Sequence, residues 1–329
     1  MKKYISFSVI LTGFLALAAI LASCATAVTV QVERPPVWNT VGIQRIAIMP
    51  FATTQNTPLQ RRAASLLTSV SRSRIQAVKR FTLIDPVEIQ RAWEANGNVE
   101  YYADALFSGQ IISAASQDSM EQASRRDKEG NIVRYTIYKR DVQLSFSFNL
   151  TRTITRTSDA QVIGTETMNF NNSYSSEELR GLKPVELVIQ EMVQKGMKDI
   201  ADYLAPYTLT ERREFEPVQI KDKAIRKRAK NASALVKKGD FKSAEEAFLE
   251  IYRDTGSFAA AYNAGLLLEL RGDLEGAAML MQRLFDETGN QKAALSITRL
   301  RKAMDNAGIL DAYSENRALP STKGPSEPL

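Results

Sequence analysis

The chain of 329 residues carries one cysteine, Cys24, and no histidine. Histidine and cysteine are the usual zinc ligands and the commonest catalytic bases and nucleophiles, so much enzymatic chemistry is closed off at the level of composition. No Gly-rich phosphate loop, paired-His metal motif, Ser-x-x-Lys or Gly-x-Ser-x-Gly nucleophile motif occurs. A carboxylate pair remains available for acid and base work, but spacing along the chain does not reveal one. The expectation is a protein that is not an enzyme, with no catalytic residue, metal site or cofactor, acting through binding. The basic run Lys221, Lys223, Arg226, Lys227, Arg228 and Lys230 suits an anionic partner such as lipid headgroups or an acidic peptide, or else forms a solvated helix face. The formal net charge of +6, to which Lys2 and Lys3 contribute two, is too small an excess to suggest nucleic acid.

Cys24 is placed by the residues before it. Lys2 and Lys3 precede an apolar run from Ile5 to Ala22, the layout of a secretory signal. About 20 apolar residues also span a bilayer, so the end of the run decides. There Leu21, Ala22, Ser23 and Cys24 resemble the lipobox of bacterial lipoproteins. The resemblance implies cleavage of residues 1–23, diacylglycerol on the Cys24 sulfur and a further acyl group, such as palmitate, on the new amino terminus. Several chains hold firmly where one gives marginal binding. Ala25 and Thr26, with no Asp at the second position, resemble lipoproteins sorted to the outer membrane, and the implied location is the cell envelope, lipid-anchored and facing the periplasm.

Residues 24–42, with Pro35 and Pro36 and little periodicity, read as the lipidated terminus and a spacer. Structured elements follow. Ile43 to Phe51 is a short strand ended by Pro50, and Pro58 opens a helix with Leu59, Ala63, Leu66, Leu67 and Val70 on one face. Phe81 to Ile84 is a second strand. Asp85-Pro86 supplies the cap and first position of a helix through Val87, Ile89 and Trp93, and Ala105 to Ile112 follows a polar turn at Asn96 and Gly97. A charged loop of Arg125, Arg126, Asp127 and Lys128 precedes strict alternation over Val142, Leu144, Phe146, Phe148 and Leu150. Ser158-Asp159 turns the chain into a returning strand, Val162 to Phe170. Pro184 opens a helix whose apolar residues, Val185 to Leu204, keep the helical period for five turns. The fold class is α+β or α/β, an N-terminal mixed sheet covered by helices, with a small all-α domain after it.

Within residues 43–205, Ile46-Ala47-Ile48-Met49-Pro50-Phe51, Arg80 to Asp85 and Ala103 to Ile111 resemble the strand and turn motifs of the CsgG and LpoB type of envelope lipoprotein domain, a TolB N-terminal-like fold. That resemblance implies a binding or assembly role, since the group includes a curli secretion channel and an activator of a peptidoglycan synthase. After a linker over 206–224, residues 225–305 repeat a Gly-Asp turn at Gly239-Asp240 and Gly272-Asp273, an offset of about 33 residues. Ala244 aligns with Ala277, Phe241 with Leu274 and Phe248 with Met281, and Gly265 fits a small-residue site. These features resemble tetratricopeptide (TPR) repeats, closed by a helix from Ala293 to Met304, with a disordered tail over 306–329. The resemblance places Tyr252, Tyr262 and Asn263 where such stacks line a concave groove for protein or peptide partners, positions that suit packing residues equally well, with Lys227 and Arg228 nearby on the basic run.

The leading expectation is a membrane-anchored envelope lipoprotein acting as a non-catalytic adaptor for protein or peptide partners, with self-association compatible. The rival is a subunit of an oligomeric CsgG-like export pore. The two divide at the hairpin from about Arg134 to Phe170, whose strands are long enough for a transmembrane barrel. Lys139, Arg140, Arg152 and Arg156 bracket the apolar strand closely, and the channel resemblance requires two such hairpins, so the hairpin reads as part of the sheet.

Overall fold

The computed structural model describes residues 26–95, 99–153 and 161–315. Cys24, the turns at Asn96-Gly97 and Ser158-Asp159, Arg156 and residues 316–329 lie outside them. The architecture is mixed α+β: a mixed sheet with helices, then a run of helices. The chain divides into two compact units. One holds the described residues up to Arg34 together with Thr208–Asp311, the other Pro35–Tyr207 with the described residues from Ala312 on.

In the second unit, strands β2 (Arg45–Ile48), β4 (Thr82–Ile84) and β5 (Ala105–Arg126) pair in parallel, β4 on one side of β2 and β5 on the other. Pro50 lacks the amide a central strand needs. The sequence expectation of one strand over 43–51 is therefore met by β2 and a two-residue β3 (Ala52–Thr53), also on β5. Strands β6 (Ile132–Arg152) and β7 (Gln161–Ser176) add antiparallel, giving the order β4-β2-β5-β6-β7. Helices α1 (Pro58–Ala77) and α2 (Pro86–Ala95) make the crossovers. Thr57 accepts the Gln60 amide to cap α1, and Pro58 sits where its missing N–H costs nothing.

Alternation puts Ile46, Ile48, Phe107, Ile111, Leu144, Phe146, Phe148 and Leu150 on one face, under α1 and α3 (Val185–Gly196). The expected five-turn helix breaks after Gly196, where a Cβ would lie 2.7 Å from the Phe146 ring, and resumes as α4 (Ile200–Leu204). Of its predicted apolar positions, Val188, Ile189, Met192, Val193, Met197, Ile200 and Leu204 are buried and Val185 is half-buried. On the opposite face α2 packs Ile89 over Ala47, while Val87 and Trp93 of the same helix are exposed.

Four sequence expectations are corrected. The spacer over 24–42 contains β1 (Ala27–Arg34), which alternates half-buried Val28, Val30 and Val32 with exposed Thr29, Gln31 and Glu33. It also contains Trp38, buried against Phe148 and Tyr203 and lying so close over Gly164 that a Cβ there would sit 2.3 Å from the indole. The linker over 206–224 contains β8 (Tyr207–Glu214), the partner of β1, with Thr26 against Phe215 and Gln31 against Thr210. The tail from 306 is helical to Glu315, and the Tyr313 hydroxyl accepts the Thr40 amide at 2.9 Å. Finally, β5 does not stop near Ile112. A bulge there lets it run 22 residues to Arg126, paired with β6 throughout. Residues 113–126 are mostly polar, with no run of apolar residues at alternate positions, so no two-residue period marks them as strand.

The other unit stacks α5 (Lys223–Lys238), α6 (Phe241–Thr255), α7 (Phe258–Leu270), α8 (Leu274–Thr288) and the first part of α9 (Gln291–Glu315). Gly239 and Gly272 adopt positive φ of 79° and 88°, and Asp240 and Asp273 then cap α6 and α8, so the repeated dipeptide makes the same turn twice. Ala244, Ala277, Phe248 and Met281 are fully buried. Helix α7 is buried continuously from Ala260 to Leu267, as expected of the middle of a stack.

Candidate functional site

Of the two roles open to Asn263, partner groove or packing, the structure shows it engaged by the chain itself. It lies on α7 with its side chain buried, its carbonyl accepting the Glu216 amide at 2.7 Å and its amide donating to the Glu216 carbonyl at 2.8 Å. This two-way bond is what an extended peptide would receive. The segment that receives it runs from Phe215 to Ile220, directly after β8. Phe215 is buried in the helical core, Val218 and Ile220 pack against that core, and Glu216 ion-pairs with Lys292 of α9. The reason is local: Pro217 disfavours the helical conformation at Glu216 before it, and around it Arg213 and Phe215 are buried and Val218 and Ile220 half-buried, while Glu214, Pro217 and Gln219 are exposed.

The other predicted residues serve the same unit. Tyr262 is buried, its ring stacked on Phe258 at 5.7 Å and its hydroxyl accepting from Ser296 at 3.4 Å. Tyr252 donates its hydroxyl to Glu287 at 2.8 Å, and that bond, with burial, pushes the phenol pKa up. Arg228 pairs with Asp254 at 2.6 Å and Glu250 at 3.4 Å across α5 and α6, which raises its pKa against a smaller loss to burial. Lys227 is exposed on the outward face of α5, as the solvated-face alternative has it. The structure brings Tyr262 and Asn263 together inside the stack and leaves Lys227, Arg228 and Tyr252 on the surface or at its margin.

Sequence reasoning missed a partly buried ionic network in the same unit. Arg34 of β1 pairs with Glu211 of β8, and Arg213 bonds Glu211 at 2.8 Å and Glu269 of α7 at 2.8 Å. Arg299 of α9 grips Glu269 with two bonds, 3.1 and 2.6 Å. Burial alone pushes the Glu211 carboxyl up, but hydrogen bonds from Arg34 and Arg213 outweigh it and hold the group below its ordinary value. Burial likewise works against the Arg213 charge, and Glu269 and Glu211 overcome it to raise its pKa. Glu211 and Arg213 alternate with Phe215 in the stretch read as linker, the one signal that marked them.

The sheet unit contrasts with this closure. Opposite the helix-covered face, β6 and β7 carry paired rows of short uncharged polar residues: Asn149 with Thr165, Ser147 with Thr167, Ser145 with Asn169, and Gln143 with Asn171. Thr165, Thr167, Asn169 and Asn171 are exposed. Ser108 donates to Asn149 at 2.8 Å and Ser145 to Asn169 at 2.6 Å, so the face is a hydrogen-bonded lattice. At its margin β7 is an edge strand of 16 residues, paired among the described residues with β6 alone, with Glu166 its only charge and no proline or lysine. Beyond Tyr138 and Ser176, β5 and β6 continue as a two-stranded arm to the turn at Asp127–Asn131. The bracketing cations are used within the unit: Lys139 pairs with Glu121, Arg140 with Asp118 and the Lys183 carbonyl, and Arg152 donates to the Val41 carbonyl.

Among the described residues no group of three or more His, Cys, Asp and Glu is placed to hold a metal, and no helix is long and apolar enough to cross a membrane. No protein-family profile and no curated protein sequence matches the chain. Among solved structures, a PelC dodecamer from Paraburkholderia phytofirmans is similar at 12% identity, covering 54% of this chain and 98% of that one, with a TM-score of 0.26. Protein XCC0632 from Xanthomonas campestris is similar at 10% identity over 53% of this chain and 90% of that one, TM-score 0.31. A minor lipoprotein from Acinetobacter baumannii is similar at 9% identity over 53% and 97%, TM-score 0.25. The faint likenesses thus include a bacterial lipoprotein and a dodecameric assembly, and at these values they assign no family to this chain.

Proposed function

We propose that the protein is an envelope lipoprotein, acylated at Cys24 and probing its surroundings through binding rather than catalysis, as a protein- or peptide-binding adaptor. The observation that carries this reading is the open edge of β7. An exposed strand edge is a row of unsatisfied amides and carbonyls ready to pair with another chain, and soluble proteins ordinarily blunt such edges with lysine, proline or bulges. β7 has neither lysine nor proline over 16 residues, and no register shift interrupts it after Gly164. Met168, Phe170 and Tyr174, on its helix-covered side, are only half-buried and would be covered by an added strand. Strand addition gives affinity through the main chain and selectivity through alternate side chains. The tetratricopeptide-like stack then contributes its outer surface, since the groove residues Tyr262 and Asn263 are engaged within the chain.

The second reading, an export-pore subunit, draws on length: β5 and β6 have 22 and 21 residues, more than the 9 to 11 or so of a membrane-crossing strand. Composition weighs against it. A lipid-facing strand needs an unbroken apolar row, and from Ser113 to Arg126 neither alternate row of β5 has one. The test is a crosslinking pull-down from intact envelopes, with Cys24→Ala beside the native chain. Recovery of heteromeric envelope partners that depends on the tether supports the adaptor. Recovery of the protein alone as a large detergent-resistant ring sinks it in favour of the pore.

A further inference from the structure

The sheet unit has an excess of positive charge in one stretch. From Arg34 to Ile84 the chain has no acidic residue, while Arg45, Arg61, Arg62, Arg72, Arg74, Lys79 and Arg80 all fall within it. Four of these cations lie on α1, which has no Asp or Glu in 20 residues. Arg45 is neutralised by Asp104 at 2.8 Å, and Arg80 stacks on the Tyr313 ring at 4.7 Å. The outward face of α1 carries no carboxylate of its own.

That face forms one wall of an open groove of about 760 Å³, whose other wall and floor come from Pro50, Phe51 and Thr53. Helical spacing brings Arg61, Ser65, Ser69, Arg72, Ser73 and Gln76 to the groove side by side. Buried Ala63, Leu67, Ser71 and Ile75 hold the opposite side of α1 in the core and fix this orientation. Thr68 also lines the groove but is engaged, accepting the Phe51 amide at 3.0 Å and donating to the Ala64 carbonyl at 2.8 Å. Arg61 donates to the Asn56 carbonyl at 2.6 Å, which leans its guanidinium along the groove rim. The groove therefore offers two planar guanidinium forks and three serine hydroxyls, with no acid in its lining.

We propose that this groove binds a phosphate-bearing ligand. A guanidinium meets a phosphate with two parallel charge-assisted hydrogen bonds, and hydroxyls supply further donors to the remaining oxygens. A lining of donors without a competing carboxylate repels cations and leaves neutral ligands without a charge partner. The groove is far larger than a bare phosphate, so the phosphate is one group of a bigger polar molecule. Such groups come either from a lipid headgroup or from a soluble phosphorylated compound. The site does not depend on the adaptor reading, because none of its lining residues lies on β7, whose edge carries that reading.

The full chain is titrated with tripolyphosphate by calorimetry and floated with vesicles of phosphatidylglycerol or of phosphatidylcholine. Saturable binding of tripolyphosphate is expected. It should weaken about tenfold in Arg72→Ala, the change that follows loss of a hydrogen bond to a charged group, and partly in Arg72→Lys, which keeps charge without the fork. Arg72 is exposed, so its replacement leaves the fold intact. Arg74→Ala is the control, since Arg74 lies on the same helix but reaches toward Gln194. Flotation with phosphatidylglycerol only, reversed by tripolyphosphate, identifies a lipid headgroup. Tripolyphosphate binding without flotation identifies a soluble phosphate compound. No binding of either probe, or equal weakening by Arg72→Ala and Arg74→Ala, overturns the site, the latter because it marks diffuse charge.

Discussion

The two units handle exposed main chain in opposite ways. In the helical unit an extended segment, Phe215 to Ile220, is fastened in place by Asn263, Lys292 and a buried phenylalanine. In the sheet unit the 16-residue edge of β7 and the polar rows beside it are left open. A surface of binding type is thus a surface available for binding only where the chain itself does not fill it. The difference teaches that the groove with the more obvious recognition chemistry is structural, and that the plainer strand edge is the freer one.

The largest test of that contrast is Phe215→Ala. If the segment is part of the helical core, the full chain should lose about 3 to 5 kcal/mol in denaturant unfolding, as for a buried phenylalanine elsewhere. A loss under about 1 kcal/mol, the range of surface changes, would mean that the segment only rests in the groove and a partner can replace it. Asn263→Ala should cost less, about 2 kcal/mol, because it strands one amide and one carbonyl of Glu216 that water can partly reach. Limited proteolysis should then cut within 215–222, and protection equal to the native chain would deny Asn263 its fastening role.

The ionic network gives a pH signature to the closed unit alone. The Glu211 carboxyl titrates below its ordinary value of 4.5 in the folded protein, so its contribution is complete above that value and is lost as pH falls through the depressed folded pKa. The stability difference between native and Glu211→Gln chains should therefore be constant from neutral pH to about 5 and should shrink on further acidification. A difference that grows in acid would mean the carboxyl is raised, not lowered, by its surroundings. The smallest effect on stability is expected at the open edge. Thr167→Lys with Asn171→Lys, both exposed, should change unfolding by no more than about 0.5 kcal/mol each yet abolish crosslinked partners, since lysines on an edge strand block pairing. Undiminished crosslinking would move the binding surface away from β7.

Much of the framework was legible because it is written in local chemistry. Pro58, Asp85-Pro86 and the two Gly-Asp turns mark helix ends by constraints on one or two residues, and Val142 to Leu150 alternates because one sheet face is buried. The acid-free stretch up to Ile84 was equally visible in the sequence, but its meaning depended on which side of α1 faces the core. The linkers were misread because prolines at 35, 36, 206 and 217 signal an absence of helix, not an absence of packing. The long reach of β5 was hidden because its outer half has no apolar face, and only pairing with β6 makes it a strand.

What the sequence determined by itself was therefore the order of elements, the caps, the apolar faces and the absence of histidine, each a property of near neighbours along the chain. Tertiary structure alone decided that Asn263 closes on Glu216, 47 residues away, that Arg34 reaches Glu211, 177 residues away, and that β7 is left at an edge. These are pairings between distant segments, and a hydrogen bond satisfied by a remote partner leaves no period or spacing in the chain to read.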